Sequence, residues 1–154
     1  MSEDHSYSKL ENAEYDQHRS PDEAYLTFTI PQCRHVRHIN FDISSHDQGW
    51  SNYRHQWGTY EDSHTWFEVG VVPTDGGNGS PADATRHVIQ RNVHARRQTT
   101  NHIVSWDDET ASTEVSEWMK ALKPGTTVGV FARALYPGWV NHVERVAVRL
   151  ETLV

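Results

Sequence analysis

The feature that most constrains this chain is a two-residue alternation that recurs in short runs and stops at turn residues. The clearest run is 144–152, where Val146, Val148 and Leu150 alternate with Arg145, Ala147, Arg149 and Glu151. Successive side chains of a strand point to opposite faces, so such a run is a strand with one face buried. The same pattern predicts strands at 25–30 (Leu26, Phe28, Ile30), ended by Pro31, and around Ile39, Phe41 and Ile43. It predicts further strands at 65–72, 87–95, 101–106 and 126–135. One short helix is expected from Ser112 or Thr113 to Leu122, ended by Pro124-Gly125. Seven short strands without intervening long helices predict an all-β fold, an antiparallel β-sandwich or jelly roll with one short helix.

The 154 residues suit one domain, read as 25–154. Ahead of it, residues 1–24 carry seven acids against Lys9 and Arg19 and no apolar period. They are predicted to be a polar acidic tail, ordered only by docking onto the body. The body holds 14 acids and 12 bases, so it is nearly neutral within a net charge of -7. Arg91, Arg96 and Arg97 are too few for a nucleic-acid surface, and no nucleic-acid partner is expected. No apolar run reaches the ~18 residues of a membrane span, so no membrane partner is expected either. The N-terminus shows no basic or apolar leader, and the single Cys33 fits a reducing compartment; a cytoplasmic protein is the expectation. Asn78-Gly79-Ser80 matches a glycosylation acceptor, but Pro81 follows it and the match is taken as chance.

The chemistry-bearing residues lie in three stretches. The first joins Asp47, Trp50 and Tyr60 to Trp66 and Glu68; the second is Arg91-Asn92-Val93-His94-Ala95; the third runs from Tyr136-Pro137-Gly138-Trp139 to Asn141. Aromatic plates beside short polar groups suit a sugar, whose ring has an apolar face and a hydroxyl rim, or another compact ligand. The expected binding residues are Trp50, Trp66, Arg91, Asn92, Tyr136, Trp139 and Asn141. If the protein is an enzyme, Asp47 or Glu68 is the expected base and His94 or Tyr60 the acid, with Glu68 raised in pKa by the neighbouring Trp66. The eleven histidines show no His-x-His pair and no zinc spacing, so no metal and no cofactor is expected. Gly-x-Ser-x-Gly, Walker A and Gly-x-Gly-x-x-Gly motifs are absent.

The segments 45–50, 58–60, 63–68, 91–95 and 134–141, in this order, resemble a little-characterised fungal domain found alone or beside ankyrin repeats and F-box-type regions. The resemblance spans roughly residues 25–154. It is in turn distantly similar to galactose-binding-like jelly rolls, which bind ligands through loops at one end of the sandwich. It implies no catalytic residues. Three functions therefore compete. One is a binding module for a glycan, peptide or small molecule, with Trp50 and Trp139 as stacking plates and Asp47, Arg91 and Asn141 as hydrogen-bonding groups. The second is a cofactor-free isomerase or cyclase of fungal secondary metabolism. The third is an interaction domain that forms a homodimer through a strand edge.

Overall fold

The computed structural model describes residues 1–73 and 86–154. The Asn78-Gly79-Ser80 acceptor lies outside the described residues. Within them the chain forms β1 (Ser2–Tyr15), β2 (Leu26–Thr29), β3 (His35–His46), β4 (Thr65–Val72), β5 (His87–Arg91), β6 (Thr100–Asp107), α1 (Thr113–Ala121), β7 (Thr127–Ala134) and β8 (Asn141–Leu153). One sheet has the order β1-β8-β3-β6 and the other β2-β7-β4-β5, and every pairing is antiparallel. This is the order of an eight-stranded jelly roll, in which two Greek keys wrap into a double sheet.

The alternation explains the core. Val36, Ile39, Phe41 and Ile43 of β3 and Val146, Val148 and Leu150 of β8 face inward from one sheet. Phe67 and Val69 of β4 and Val128, Val130 and Ala132 of β7 meet them from the other. Helix α1 starts at Ser112, whose hydroxyl accepts from the Val115 N–H, and buries Trp118 and Met119 against this core.

Two expectations change. The first 24 residues do not stand apart from the sandwich: β1 pairs with β8 from Ser2↔Leu153 to Tyr15↔Asn141 and supplies an edge strand. Its inward positions are His5, Tyr7 and Lys9, then Ala13 and Tyr15 beyond a bulge. Tyr7 stacks on Phe28, and the Lys9 ammonium lies over the Tyr25 ring. An edge strand half covered by the body holds its place with mixed residues, so no apolar period marks it. The strand expected at 87–95 ends at Arg91. Asn92, Val93 and His94 are all buried, with the Asn92 and His94 side chains bonded within the loop end of the sandwich. The His94 N–H donates to Thr59 O, and the Gly58 N–H donates to His94 O. The Asn92 N–H still donates to Thr65 O at the start of β4, and from His94 onward the backbone pairs with the β3–β4 loop instead of the sheet.

Candidate functional site

Strand direction decides which loops meet. β1 and β3 run the same way within their sheet, opposite to β6 and β8, and β2 and β4 run opposite to β5 and β7. The connections 16–25, 47–64, 92–99 and 135–140 consequently lie at one end of the sandwich. The three stretches singled out in the sequence contribute three of these four loops.

Their polar side chains form a buried floor. Asp47 Oδ1 accepts from the N–H groups of Gly49 and Arg96, and Oδ2 accepts from that of Ala95. One carboxylate thus joins the β3–β4 loop to the β5–β6 loop and holds Ala95 at a positive φ of 55°. Burial pushes the Asp47 carboxyl up, and these three backbone donors pull it only partly back. Asn92 donates to Thr65 Oγ1 and Asn141 Oδ1 and accepts from Ser45 Oγ. Asn141 donates to the Trp66 and Arg133 carbonyls. Asn92 and Asn141, expected to bind ligand, are fully buried, and these bonds tie the ends of β3, β4, β7 and β8 together.

His94 and Ser51 form a second junction. His94 Nδ1 lies 2.7 Å from Glu61 O, and a carbonyl only accepts, so Nδ1 carries the proton. Nε2 is then the acceptor for the Ser51 hydroxyl, 2.6 Å away. Sequence reasoning gave Ser51 no role, and no motif marks this pair. It has the arrangement of a nucleophile and its base. Ser51 Oγ, however, also accepts from Trp57 Nε1 and the Tyr53 N–H, which engages both of its lone pairs. The pair locks the loop; it presents no free nucleophile.

Above this floor the aromatic side chains are open. Among the described residues, every exposed aromatic side chain lies in these loops: Trp50, Tyr53, Trp57, Tyr60 and Tyr136. Trp139 is different, with its ring only 9% exposed and packed edge-on to His64 and His94. Tyr136-Pro137-Gly138-Trp139 is a turn closed by the Trp139 N–H on Tyr136 O, with Gly138 at φ 87°. A side chain on Gly138 would meet the Trp50 indole at 3.5 Å, so the two loops touch there. Gln48 bridges them again by accepting from the Val140 N–H.

Backbone strain gathers in the same place. The three non-glycine residues with positive φ are Asp62 (49°), Ala95 (55°) and Tyr136 (77°) among the described residues. One sits in each of the three aromatic and polar loops. Such conformations cost of order 1–3 kcal/mol each and persist where the surroundings impose them.

Glu68, Trp66 and Arg91 lie beside the rim, on the outer face of the second sheet. Glu68 is buried and pairs with Arg133 at 2.6 Å and Arg86 at 3.1 Å, while Trp66 Nε1 donates to it at 3.0 Å. The expected upward shift does not occur. Burial does push the carboxyl up, but the hydrogen bonds from Trp66 and Arg133, the Arg133 charge and Arg86 outweigh it and hold Glu68 below the usual range. A carboxylate so engaged is a poor base. Arg91 donates to Ser63 O and lies 5.8 Å from the Trp66 ring, opposite Arg133 at 5.3 Å. The four expected acid–base groups fall into three settings. Asp47 and His94 belong to the floor, Tyr60 Oη bonds His102 Nε2, and Glu68 is on the sheet face.

The fold and this end together define the class: a jelly roll whose connecting loops form an aromatic rim on a buried polar floor. No family model matches the chain, and no curated protein matches it. Among solved structures it is similar to that of the infectious bursal disease virus Gx strain, at 6% identity and a TM-score of 0.46, over 99% of this chain and 37% of that one. It is also similar to the VP2 subviral particle of infectious bursal disease virus, at 6% identity and a TM-score of 0.44, over 99% of this chain and 38% of that one. The chain thus spans less than two-fifths of the length of either. No helix of the described residues is long and apolar enough to cross a membrane.

Proposed function

We propose that the protein is a ligand-binding module and that its site is the aromatic rim, with a glycan as the ligand. The carrying observation is the segregation of exposed aromatic side chains: Trp50, Tyr53, Trp57, Tyr60 and Tyr136 share one end of the sandwich. Open aromatic clusters rimmed by polar groups are characteristic of interaction surfaces. Indole and phenol rings offer flat apolar faces for a sugar ring and polar edges for its hydroxyls. The positive-φ residues in three loops agree with this reading, because strain gathers at ligand sites. The floor of Asp47, Ser51, Asn92, His94 and Asn141 supplies the preorganisation that binding requires. Trp50 and Tyr136 take the binding role expected of them, and Tyr60, expected as an acid, joins them as a third exposed ring. Asn92, Trp139 and Asn141 act beneath them as support. Loops at one end of a jelly roll are also the part that binds ligand in galactose-binding-like domains, to which the fungal domain that the sequence resembles is distantly similar.

The test is a glycan array read beside tryptophan fluorescence. A sugar that binds on the array and quenches the wild type, but not Trp50→Ala, supports the proposal. An array without hits, with fluorescence unchanged by every sugar, rejects it; peptide binding at the same rim in that case replaces the glycan.

A further inference from the structure

The aromatic rim is also a cationic patch on an acidic chain. The net charge is -7, yet Arg54, Arg91, Arg96 and Arg97 are exposed at this end. None of the four has an ion-pair partner among the described residues. The exposed acids of the same two loops are Glu61 and Asp62, and Asp62 already accepts from Gln56. Two of the guanidinium groups lie beside rings. Arg54 lies 5.8 Å from the Trp57 ring. The Arg97 stem crosses Gly49, whose missing side chain leaves it room. Burial, and after it the Arg96 charge, hold the His102 imidazole below its ordinary value, and His102 bonds Tyr60. Arg91 flanks Trp66.

From these exposed guanidinium groups without ion-pair partners, set at the aromatic end of the sandwich, we infer that the ligand is an acidic glycan, one whose sugars carry carboxylate or sulfate groups. The inference rests on the rim being a glycan site and adds the charge of its ligand. Guanidinium forks match carboxylate and sulfate oxygens in pairs, while the rings hold the sugar faces. The amount of charge favours a glycan over a nucleic-acid strand. Four arginines against two exposed acids suit a ligand with a few separated charges. A strand with a phosphate on every nucleotide would extend past the patch onto the fourth loop of the same end, where Asp16, Asp22 and Glu23 stand against Arg19 alone.

The experiment titrates tryptophan fluorescence with oligogalacturonate, its carboxyl-reduced neutral form, a heparin-derived oligosaccharide and an oligothymidylate. At least one acidic sugar is expected to bind about tenfold or more tightly than the neutral form, and to weaken as salt rises from ~0.05 M to ~0.5 M. The double variant Arg96→Gln/Arg97→Gln is expected to lose that preference while melting like the wild type; Arg96→Lys/Arg97→Lys should recover part of it. Equal binding of acidic and neutral sugars overturns the inference and leaves the glycan site standing. Binding of no sugar overturns both. Preferential binding of the oligothymidylate overturns the inference and changes the class of ligand.

Discussion

Replacing Trp139 by alanine separates a supporting role from a contacting one. The ring is 9% exposed and meets His64 and His94 edge-on at centroid distances of 4.9 and 5.1 Å. A buried aromatic side chain removes roughly 150–250 Å² from water. At about 25 cal/mol per Å² that is about 4–6 kcal/mol, an upper figure because the unfolded chain already hides part of this surface. Truncations of buried tryptophan cost ~3–5 kcal/mol, and that is the expected loss. For a domain of this length it lowers the melting midpoint by roughly 6–20 °C. Trp50 is 49% exposed, so Trp50→Ala should cost no more than ~1 kcal/mol while removing ligand-dependent quenching. The assay is urea unfolding of both variants beside a ligand titration. If Trp139→Ala costs under ~1 kcal/mol and still abolishes binding, Trp139 is a ligand plate, as the sequence alone suggested, and the division into floor and rim is wrong.

Glu68→Ala leaves the Arg86 and Arg133 guanidinium groups without their shared carboxylate and should destabilise by about 3–5 kcal/mol in urea unfolding; an unchanged midpoint would show that the ion pairs contribute nothing. Asn92→Ala removes three buried hydrogen bonds and leaves Asn141 Oδ1 without that donor, which should cost roughly 2–4 kcal/mol by the same measurement. Burial holds His64, His87, His102 and His142 below the ordinary value of 6.5. The folded state therefore favours their neutral form, and the unfolded chain takes up protons first as pH falls. Stability present above 6.5 is lost as pH drops toward the folded values, so the melting midpoint should fall between about pH 7.5 and about pH 5.5; a flat or rising midpoint contradicts this. A fluorophosphonate probe should leave Ser51 unmodified, because both hydroxyl lone pairs are engaged; mass-spectrometric labelling at Ser51 would make the Ser51–His94 pair a reactive one.

Much of the fold was legible because a half-buried strand leaves a period of two in its residues. Phe41 and Ile43, Phe67 and Val69, and Val148 and Leu150 mark their strands and their inward faces unaided. β1 was not legible, since an edge strand with one partner needs little apolar surface, and its docking depends on β8 more than 120 residues away. The composition of the candidate site was also legible: Trp50, Tyr60, Arg91 and Tyr136 stand out as rings and directional polar groups between strands. Their roles were not. Periodicity says which face of a strand is buried but nothing of that kind about a loop, so sequence could not tell the buried Asp47, Asn92, His94, Trp139 and Asn141 from the exposed Trp57, Arg96 and Arg97. That distinction was made only when antiparallel pairing brought four distant loops to one end and their backbone N–H and carbonyl groups needed partners. The polar side chains Asp47, Asn141 and His94 that reached those groups became the floor, with Trp139 packed on His94, and the rings left open to solvent became the rim.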